Sequence, residues 1–145
     1  MAAVSQPIPR RWNVEVDGIR WIPRMIDKAR MRQNGTLGAY LMGHSPVDKA
    51  LLKRLNMTTD EFVQIANANP DDAAVLAALR QRGFDEAAVR RWSQRFEESY
   101  KRMIPLWDVD DGHVQPSGAA RGFALVFRKI EGPLMGAYRK ISPAP

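Results

Sequence analysis

Six polar residues near the start of the chain have side chains suited to chemistry or to ligand binding. They are Arg24, Asp27, Lys28, Arg30, Tyr40 and His44. An arginine fork matches a carboxylate or phosphate through two parallel hydrogen bonds. Histidine titrates near neutral pH, so His44 beside Tyr40 or Asp48 is a candidate general base. These side chains could line a cleft for a substrate, an anionic ligand or a partner's carboxylate, between the first helix and the loop 35–44.

Ordinary structural roles explain the same residues. Charges on the flanks of a helix usually face solvent and contribute little. A loop histidine just before a capping serine usually bonds to backbone groups, as His44 would before Ser45. We favour these explanations and predict no catalytic residue.

The four charged residues lie on a predicted helix over 23–33. Pro23 suits the first helical position, where its missing N–H has no partner in any case. One face is apolar and consists of Ile22, Met25, Ile26 and Ala29. Asp27 lies within a turn of Arg24 and Arg30, so the spacing predicts ion pairs among these three side chains.

Two further patterns resemble known sites and fail on their spacing. The loop after the first helix has glycines at 35, 38 and 43, but neither a Lys-Ser/Thr pair nor a GxGxxG spacing that would hold a phosphate. The acidic run 108–112 starts like a calcium loop, yet glycine stands where the third ligand belongs and Gly118 where the final glutamate belongs. We predict turns at both places, with no metal or cofactor.

Composition excludes several classes of protein. The chain has 145 residues, no cysteine and two histidines, which excludes disulfide frameworks, cysteine zinc sites and thiol catalysis. The longest aliphatic run, 73–79, is far shorter than the roughly 20 residues that a membrane span needs. The N-terminal residues lack the apolar segment of a signal peptide. We therefore expect a cytoplasmic protein.

Positive charge is concentrated at the C-terminal end. Residues 115–145 contain five Lys and Arg against one acidic residue, whereas the rest of the chain is nearly balanced. Aromatic and basic side chains alternate there: Arg121, Phe123, Phe127, Arg128, Lys129, Tyr138, Arg139 and Lys140. Such a tail could stack on nucleic acid bases. It could equally dock on its own domain or on a larger complex, and we favour docking.

Local signals predict a mainly α protein. Helix starts are marked at Ser45-Pro46, at the Thr58–Glu61 capping box, at 69–72 and at Asp85. The last of these predicts the longest helix, from Asp85 to Met103, which Pro105 would end. Before the helices, alternation over 12–21 around Asp17-Gly18 predicts a β-hairpin.

These elements predict a compact bundle of about five helices with a short N-terminal β-hairpin and an irregular C-terminal extension. The domain boundaries that follow are 1–17 for the N-terminal extension, 18–114 for the helical domain and 115–145 for the basic C-terminal extension. Val89, Trp92, Phe96 and Tyr100 recur at helical spacing, so we expect Trp92 and Phe96 in the core.

The stretch 22–30 followed by Gly35-Thr36-Leu37-Gly38-x-Tyr40 resembles a bacterial family known as domain of unknown function 5069. The similarity extends over about residues 18–112, through Asp48, Leu51-Leu52, Thr58–Phe62, Asp72–Leu76, Trp92 and Trp107-Asp108. Position 39 is alanine where the family often has an acid. The family has no established activity, so the resemblance implies a helical domain with added termini and transfers no catalytic residue.

Three functions fit the sequence. The first is a small non-catalytic module that associates with another protein, a larger complex or a second copy through its terminal extensions. The second is a small enzyme or ligand-binding protein that uses the cleft at the first helix and the loop 35–44. The third is a nucleic-acid or ribosome-associated protein that binds through the basic tail.

Overall fold

The structure is a computed structural model that describes residues 7–112, 138, 140, 141 and 143–145. A two-stranded hairpin precedes seven helices in this part of the chain, which confirms the mainly α prediction. The elements are β1 (Glu15–Val16), β2 (Ile19–Arg20), α1 (Ile22–Asn34), α2 (Pro46–Leu55), α3 (Thr59–Ala68), α4 (Asp72–Arg82), α5 (Glu86–Gln94), α6 (Phe96–Ser99) and α7 (Ile104–Asp110). Residues 138, 140 and 141 are also helical.

The hairpin forms where the sequence predicts it. β1 and β2 are antiparallel with Val16 opposite Ile19. The turn residues Asp17 and Gly18 both have positive φ, at 48° and 76°, as a tight two-residue turn requires. Because so short a hairpin is unstable alone, it packs on α5, where the Ser93 hydroxyl accepts a 2.8 Å hydrogen bond from the backbone N–H of β2.

Side-chain caps position the middle helices as predicted. The capping oxygens belong to Ser45, Thr58, Asp71 and Asp85. Each accepts a hydrogen bond from one of the first backbone N–H groups, which have no partner inside a helix. At Thr58 the capping box is complete, because Glu61 accepts from the Thr58 N–H in return.

The predicted long helix from Asp85 to Met103 is wrong. α5 ends at Gln94, α6 is a single turn, and Pro105 lies in the first turn of α7 rather than after a helix. Arg95 (φ −91°, ψ 1°) lies between α5 and α6. The residues after α5 remain in the core because the chain turns there and brings Tyr100 and Trp107 against the Phe96 ring.

Phe96 is the centre of an aromatic cluster in the core and is fully buried. Its ring lies within 4.7–6.0 Å, centroid to centroid, of five others: Trp12, Trp21, Trp92, Tyr100 and Trp107. Trp92 is 8% exposed, so the predicted burial of both residues is confirmed. Trp12 and Val16 are buried as well. The core therefore includes residues that we assigned to the N-terminal extension 1–17.

Candidate functional site

Two charged side chains on α1 are almost completely buried. Arg24 and Lys28 are one turn apart on the same face of the helix, and each is 3% exposed. Burial of an unpaired charge is costly, so buried charged groups are normally paired and hydrogen-bonded. The groups that pair with these two side chains define a charged cluster: Trp21, Arg24, Lys28, Tyr40, Asp48 and Asp111.

Arg24 is held by the C-terminal end of α7. Its guanidinium binds both carboxylate oxygens of Asp111, at 2.5 and 3.1 Å. The Tyr40 hydroxyl donates to the same carboxylate at 3.0 Å, which joins the loop between α1 and α2 to the pair. Arg24 also donates to the backbone carbonyl of Arg10 at 3.1 Å. Four separate segments of the chain therefore meet at one guanidinium.

Lys28 is held by the first turn of α2. Its ammonium group contacts both carboxylate oxygens of Asp48, at 2.9 and 2.7 Å. The indole N–H of Trp21 and the backbone N–H of Gly43 also donate to Asp48, at 2.7 and 2.9 Å. Asp48 is fully buried, and these three donor groups satisfy both of its oxygens.

The Trp21 ring contacts the cations of both ion pairs. The Lys28 ammonium lies 5.1 Å and the Arg24 guanidinium 5.3 Å from its ring centroid, within the range of cation–π attraction. Trp107 covers Trp21 at 4.9 Å between ring centroids. The backbone of Trp21 has φ 73°, which is strained for a bulky residue and is typical of positions that the surrounding structure fixes.

Burial shifts two titrating groups of the cluster. The pKa of Lys28 is lowered, chiefly because burial disfavours the ammonium ion, although the Asp48 carboxylate opposes the shift. The pKa of Tyr40 is raised, first by burial and then by the negative charge of Asp111. A lysine of lowered pKa is a feature of many active sites, and also of structural ion pairs.

The remaining predicted residues lie outside the cluster. The predicted ion pairs of Asp27 with Arg24 and Arg30 do not form. Asp27 pairs instead with Arg10 at 2.9 Å, and Arg10 also pairs with Asp72 at 2.5 Å. Arg30 instead donates to backbone carbonyls at the end of α3. His44 is half-buried beside the cap of α2.

Sequence reasoning missed three members of the cluster. From the sequence, Asp48 is a candidate only as a neighbour of His44, Asp111 belongs to a predicted acidic turn, and Trp21 belongs to the predicted hairpin. Asp111 contacts Arg24 from 87 positions away along the chain, so no local spacing could have revealed the pair. Another acid of the same turn, Asp108, binds Arg11 at 2.7 Å.

An open groove lies between α2 and the start of α3. It is lined by Lys49, Leu52, Lys53, Asn56, Met57, Thr58 and Glu61, which we call the α2–α3 groove. The segment Pro143–Pro145 forms the rest of its lining, and the Pro145 carbonyl accepts a 2.9 Å hydrogen bond from the Thr59 N–H. A piece of the predicted C-terminal extension therefore lies on the helical domain.

Most of the predicted tail site lies outside the described residues. This applies to Arg121, Phe123, Phe127, Arg128, Lys129 and Arg139. Tyr138 is half-buried and Lys140 exposed. Among the residues that the structure describes, no three His, Cys, Asp or Glu side chains are placed to hold a metal ion, and no helix is long and apolar enough to cross a bilayer.

Comparison with known proteins identifies the family. The model of the family described as Domain of unknown function (DUF5069) matches residues 6–116. The chain belongs to this family. No curated protein and no solved structure matches it significantly. The match confirms the resemblance and begins earlier than residue 18, so the DUF5069 domain includes Arg10 and Trp12. Every member of the charged cluster lies within the DUF5069 match, whereas Pro143–Pro145 lie beyond it.

Proposed function

We propose that this chain is a small non-catalytic helical module that associates with another protein, or with a second copy of itself, through its terminal extensions. The observation that carries the proposal is the contact of Pro143–Pro145 with the helical domain along the α2–α3 groove. There a segment of the C-terminal extension binds a folded surface through an unused backbone N–H, that of Thr59. The same extension has the composition for association, with basic and aromatic side chains interleaved.

The charged cluster supports a structural role for the residues that could otherwise do chemistry. Asp48 and Asp111 are both nearly inaccessible, at 0% and 2% exposure. Asp48 accepts from Lys28, Trp21 and Gly43, and Asp111 from Arg24 and Tyr40. A carboxylate that is occupied in this way is a poor general base, because a base must reach the proton that it removes.

We further propose a cytoplasmic location, since the sequence has no cysteine.

The test removes the extension and measures association. The full chain and a chain that ends at residue 114 are each immobilised and exposed to extract from the source cells. Captured proteins are identified, purified and titrated against both chains, and sedimentation velocity tests self-association of each. We expect binding to the full chain and none to the shortened chain, with similar thermal melts. Equal binding by the two chains would contradict the proposal.

A second candidate, a ligand-binding protein or small enzyme at α1 and the loop 35–44, is favoured by one feature of the cluster. Arg24 Nε is buried and has no acceptor within the described part of the chain. It lies on the same helix face as Lys28, whose lowered pKa would help a neutral amine to form. An anionic ligand could use the unpaired donor if the cluster opened.

Reductive trapping tests this candidate. The chain is incubated with a panel of small aldehydes and α-keto acids, reduced with borohydride, digested and analysed by mass spectrometry. An adduct on Lys28, absent from a Lys28→Met variant, would favour the enzyme. Modification confined to exposed lysines such as Lys53 and Lys101, at the same level in both proteins, would remove support for it.

A further inference from the structure

We propose that the α2–α3 groove is a receptor site for an extended peptide with the pattern proline–small residue–proline, and that Pro143–Pro145 is a resident competitor for it. The inference rests on the proposed association function and names the chemistry of one partner segment. Its evidence is the segment that already lies along the groove and accepts from the Thr59 N–H.

The groove offers a specific main-chain contact. Thr59 is the first residue of α3, a helix of ten residues, and its N–H has no acceptor within the helix. The capping box does not use this N–H, because Thr58 accepts from Glu61 and Glu61 accepts from Thr58. The Thr59 N–H is therefore left for a carbonyl from outside the helix, which Pro145 supplies at 2.9 Å.

The central position of the peptide must be small. A Cβ added to Gly43 would lie 3.0 Å from the Ala144 methyl group and 2.2 Å from Thr59 Oγ1. Gly43 also has φ 84°, a conformation that favours glycine. The missing side chain thus makes room for Ala144, and a larger residue at 144 would collide with this wall.

The floor and rim of the groove suit an extended apolar segment. Leu52 and Met57 provide buried apolar surface, at 0% and 7% exposure, while Lys49 and Lys53 stand on the rim. Prolines have no N–H to satisfy and hold the chain near the extended polyproline conformation, so they lose little entropy on binding. Main-chain hydrogen bonds supply affinity in peptide recognition, and contacts with side chains supply specificity.

The resident segment sets the apparent affinity for a partner. Thirty residues, 113–142, separate Gly112 from Pro143. A segment tethered to its own binding site is present there at a high effective concentration, on the order of 1 mM. A free peptide must therefore compete with Pro143–Pro145, and it binds more tightly once that segment is displaced.

The experiment uses a fluorescein-labelled Ser-Pro-Ala-Pro peptide and measures fluorescence anisotropy up to 1 mM protein. The full chain is compared with the full-length Ala144→Trp variant, in which the bulky side chain expels the resident segment. We expect the variant to bind the peptide at least about tenfold more tightly. A Ser-Pro-Trp-Pro peptide, which fails the size requirement, should bind neither protein.

Two controls keep the result interpretable. Deleting 143–145 should have the same effect as Ala144→Trp. Adding Thr59→Pro to the deletion removes the donor N–H at the first helical position, where proline is tolerated, and should abolish binding, while Arg102→Glu, on the exposed turn between α6 and α7, should not. All variants should melt like the parent. Equal affinity of the full chain and the deletion, no binding by the deletion at 1 mM, or equal binding of both peptides would overturn the inference.

The outcomes separate this inference from the proposed function. If the peptide fails to bind but the chain ending at 114 loses its captured partner, the receptor site is wrong and the association function stands. If the peptide binds as expected but the shortened chain keeps its partner, the groove is a receptor site and the terminal extension is not the route of association.

Discussion

Two sets of ion pairs in this chain use the same residue types and differ in burial. In the charged cluster, the side chains of the Arg24–Asp111 and Lys28–Asp48 pairs are at most 4% exposed. Around the hairpin turn, Arg80 and Arg90 bind Asp17 at 2.5 and 3.2 Å and also contact Glu86, with side chains 38–57% exposed. The first set is sealed by aromatic rings, and the second is in solvent.

Burial determines how much each ion pair contributes to the stability of the fold. Exposed pairs gain little, because water screens them and side-chain entropy opposes them. Buried pairs are expensive to form and very costly to break on one side. The sealed pairs join α1 to α2, to α7 and to the loop at Tyr40, so their loss would release several segments together. The exposed network only steadies the hairpin against α4 and α5.

The largest expected effect is the loss of one partner in a sealed pair. Lys28→Met leaves the Asp48 carboxylate buried without its counter-charge, which should lower the free energy of unfolding by about 3–5 kcal/mol. Chemical denaturation measures the change. Lys28→Met combined with Asp48→Asn should cost less than the two single changes added together, because the amide still accepts from Trp21 or Gly43. Additive costs would show that the two side chains are not coupled.

A comparable effect is expected from the aromatic cluster that covers the charges. Phe96→Ala removes a fully buried ring that contacts Trp12, Trp21 and Trp92, and should cost about 3–5 kcal/mol. Thermal and denaturant unfolding both report it. Phe84→Ala, at a half-buried position away from the charges, is the matched control and should cost less. A Phe96→Ala melt within a degree or two of the parent would exclude Phe96 as the central packing residue.

A smaller effect is expected at alkaline pH. The pKa of Lys28 is lowered in the folded chain, whereas in the unfolded chain it returns to about 10.4. Between these two values the unfolded state binds more protons, so this group makes stability rise with pH. Unfolding measured from pH 7 to 9.5 should therefore show a rising contribution that Lys28→Met removes. A Lys28 pKa at or above 10.4 in an NMR titration would contradict the expectation.

Acid should weaken the partly exposed Arg10 pairs. The pKa of Asp72 is lowered by its hydrogen bonds with Arg10. Its contribution to stability is therefore present above the ordinary pKa of about 3.9 and is lost as the pH falls through the lowered value. Arg10→Met should flatten this acid limb of the stability curve, and Arg102→Met, on an exposed turn, should not. Identical acid limbs for the parent and Arg10→Met would show that the pair has no role in stability.

The smallest effect is expected in the exposed network. Arg80→Ala removes contacts to Asp17 and Glu86, yet Arg90 remains to bind both, and water can replace the lost contacts. The melting temperature should match that of the parent within experimental error at 0.5 M salt, with at most a slight loss at low salt. A large loss at either salt concentration would abolish the distinction between sealed and exposed pairs.

Local elements were predictable because their signals are local. The hairpin turn at Asp17-Gly18, the Ser45 cap and the capping box at Thr58 each involve residues at most a few positions apart. The prediction of one long fifth helix was wrong for a related reason. An apolar spacing cannot distinguish one straight helix from shorter helices that fold back on the same side chain, as α6 and α7 do around Phe96.

The candidate site was predictable only in part. Arg24, Lys28 and Tyr40 were named from the sequence, and the structure brings them together. Their ion pairs with acidic residues were not predicted. Asp111, which binds Tyr40 and Arg24, lies 71 and 87 positions away from them along the chain. Asp27 has the spacing for local pairs, but Arg10 reaches it from an arm whose path the sequence does not specify. Which charges are sealed depends on tertiary packing.

The aromatic cluster has a consequence for how this protein can be observed. All four tryptophans lie in it, with Trp12, Trp21, Trp92 and Trp107 each within 6.0 Å of the Phe96 ring centroid. Intrinsic fluorescence and near-ultraviolet circular dichroism will therefore report on this cluster, where the rings lie close to one another and cations lie against Trp12 and Trp21. Departure of Pro143–Pro145 from the groove can reach these signals only through Gly43 and Asp48, the acceptor of the Trp21 indole N–H, so a label placed near that groove will be the direct probe.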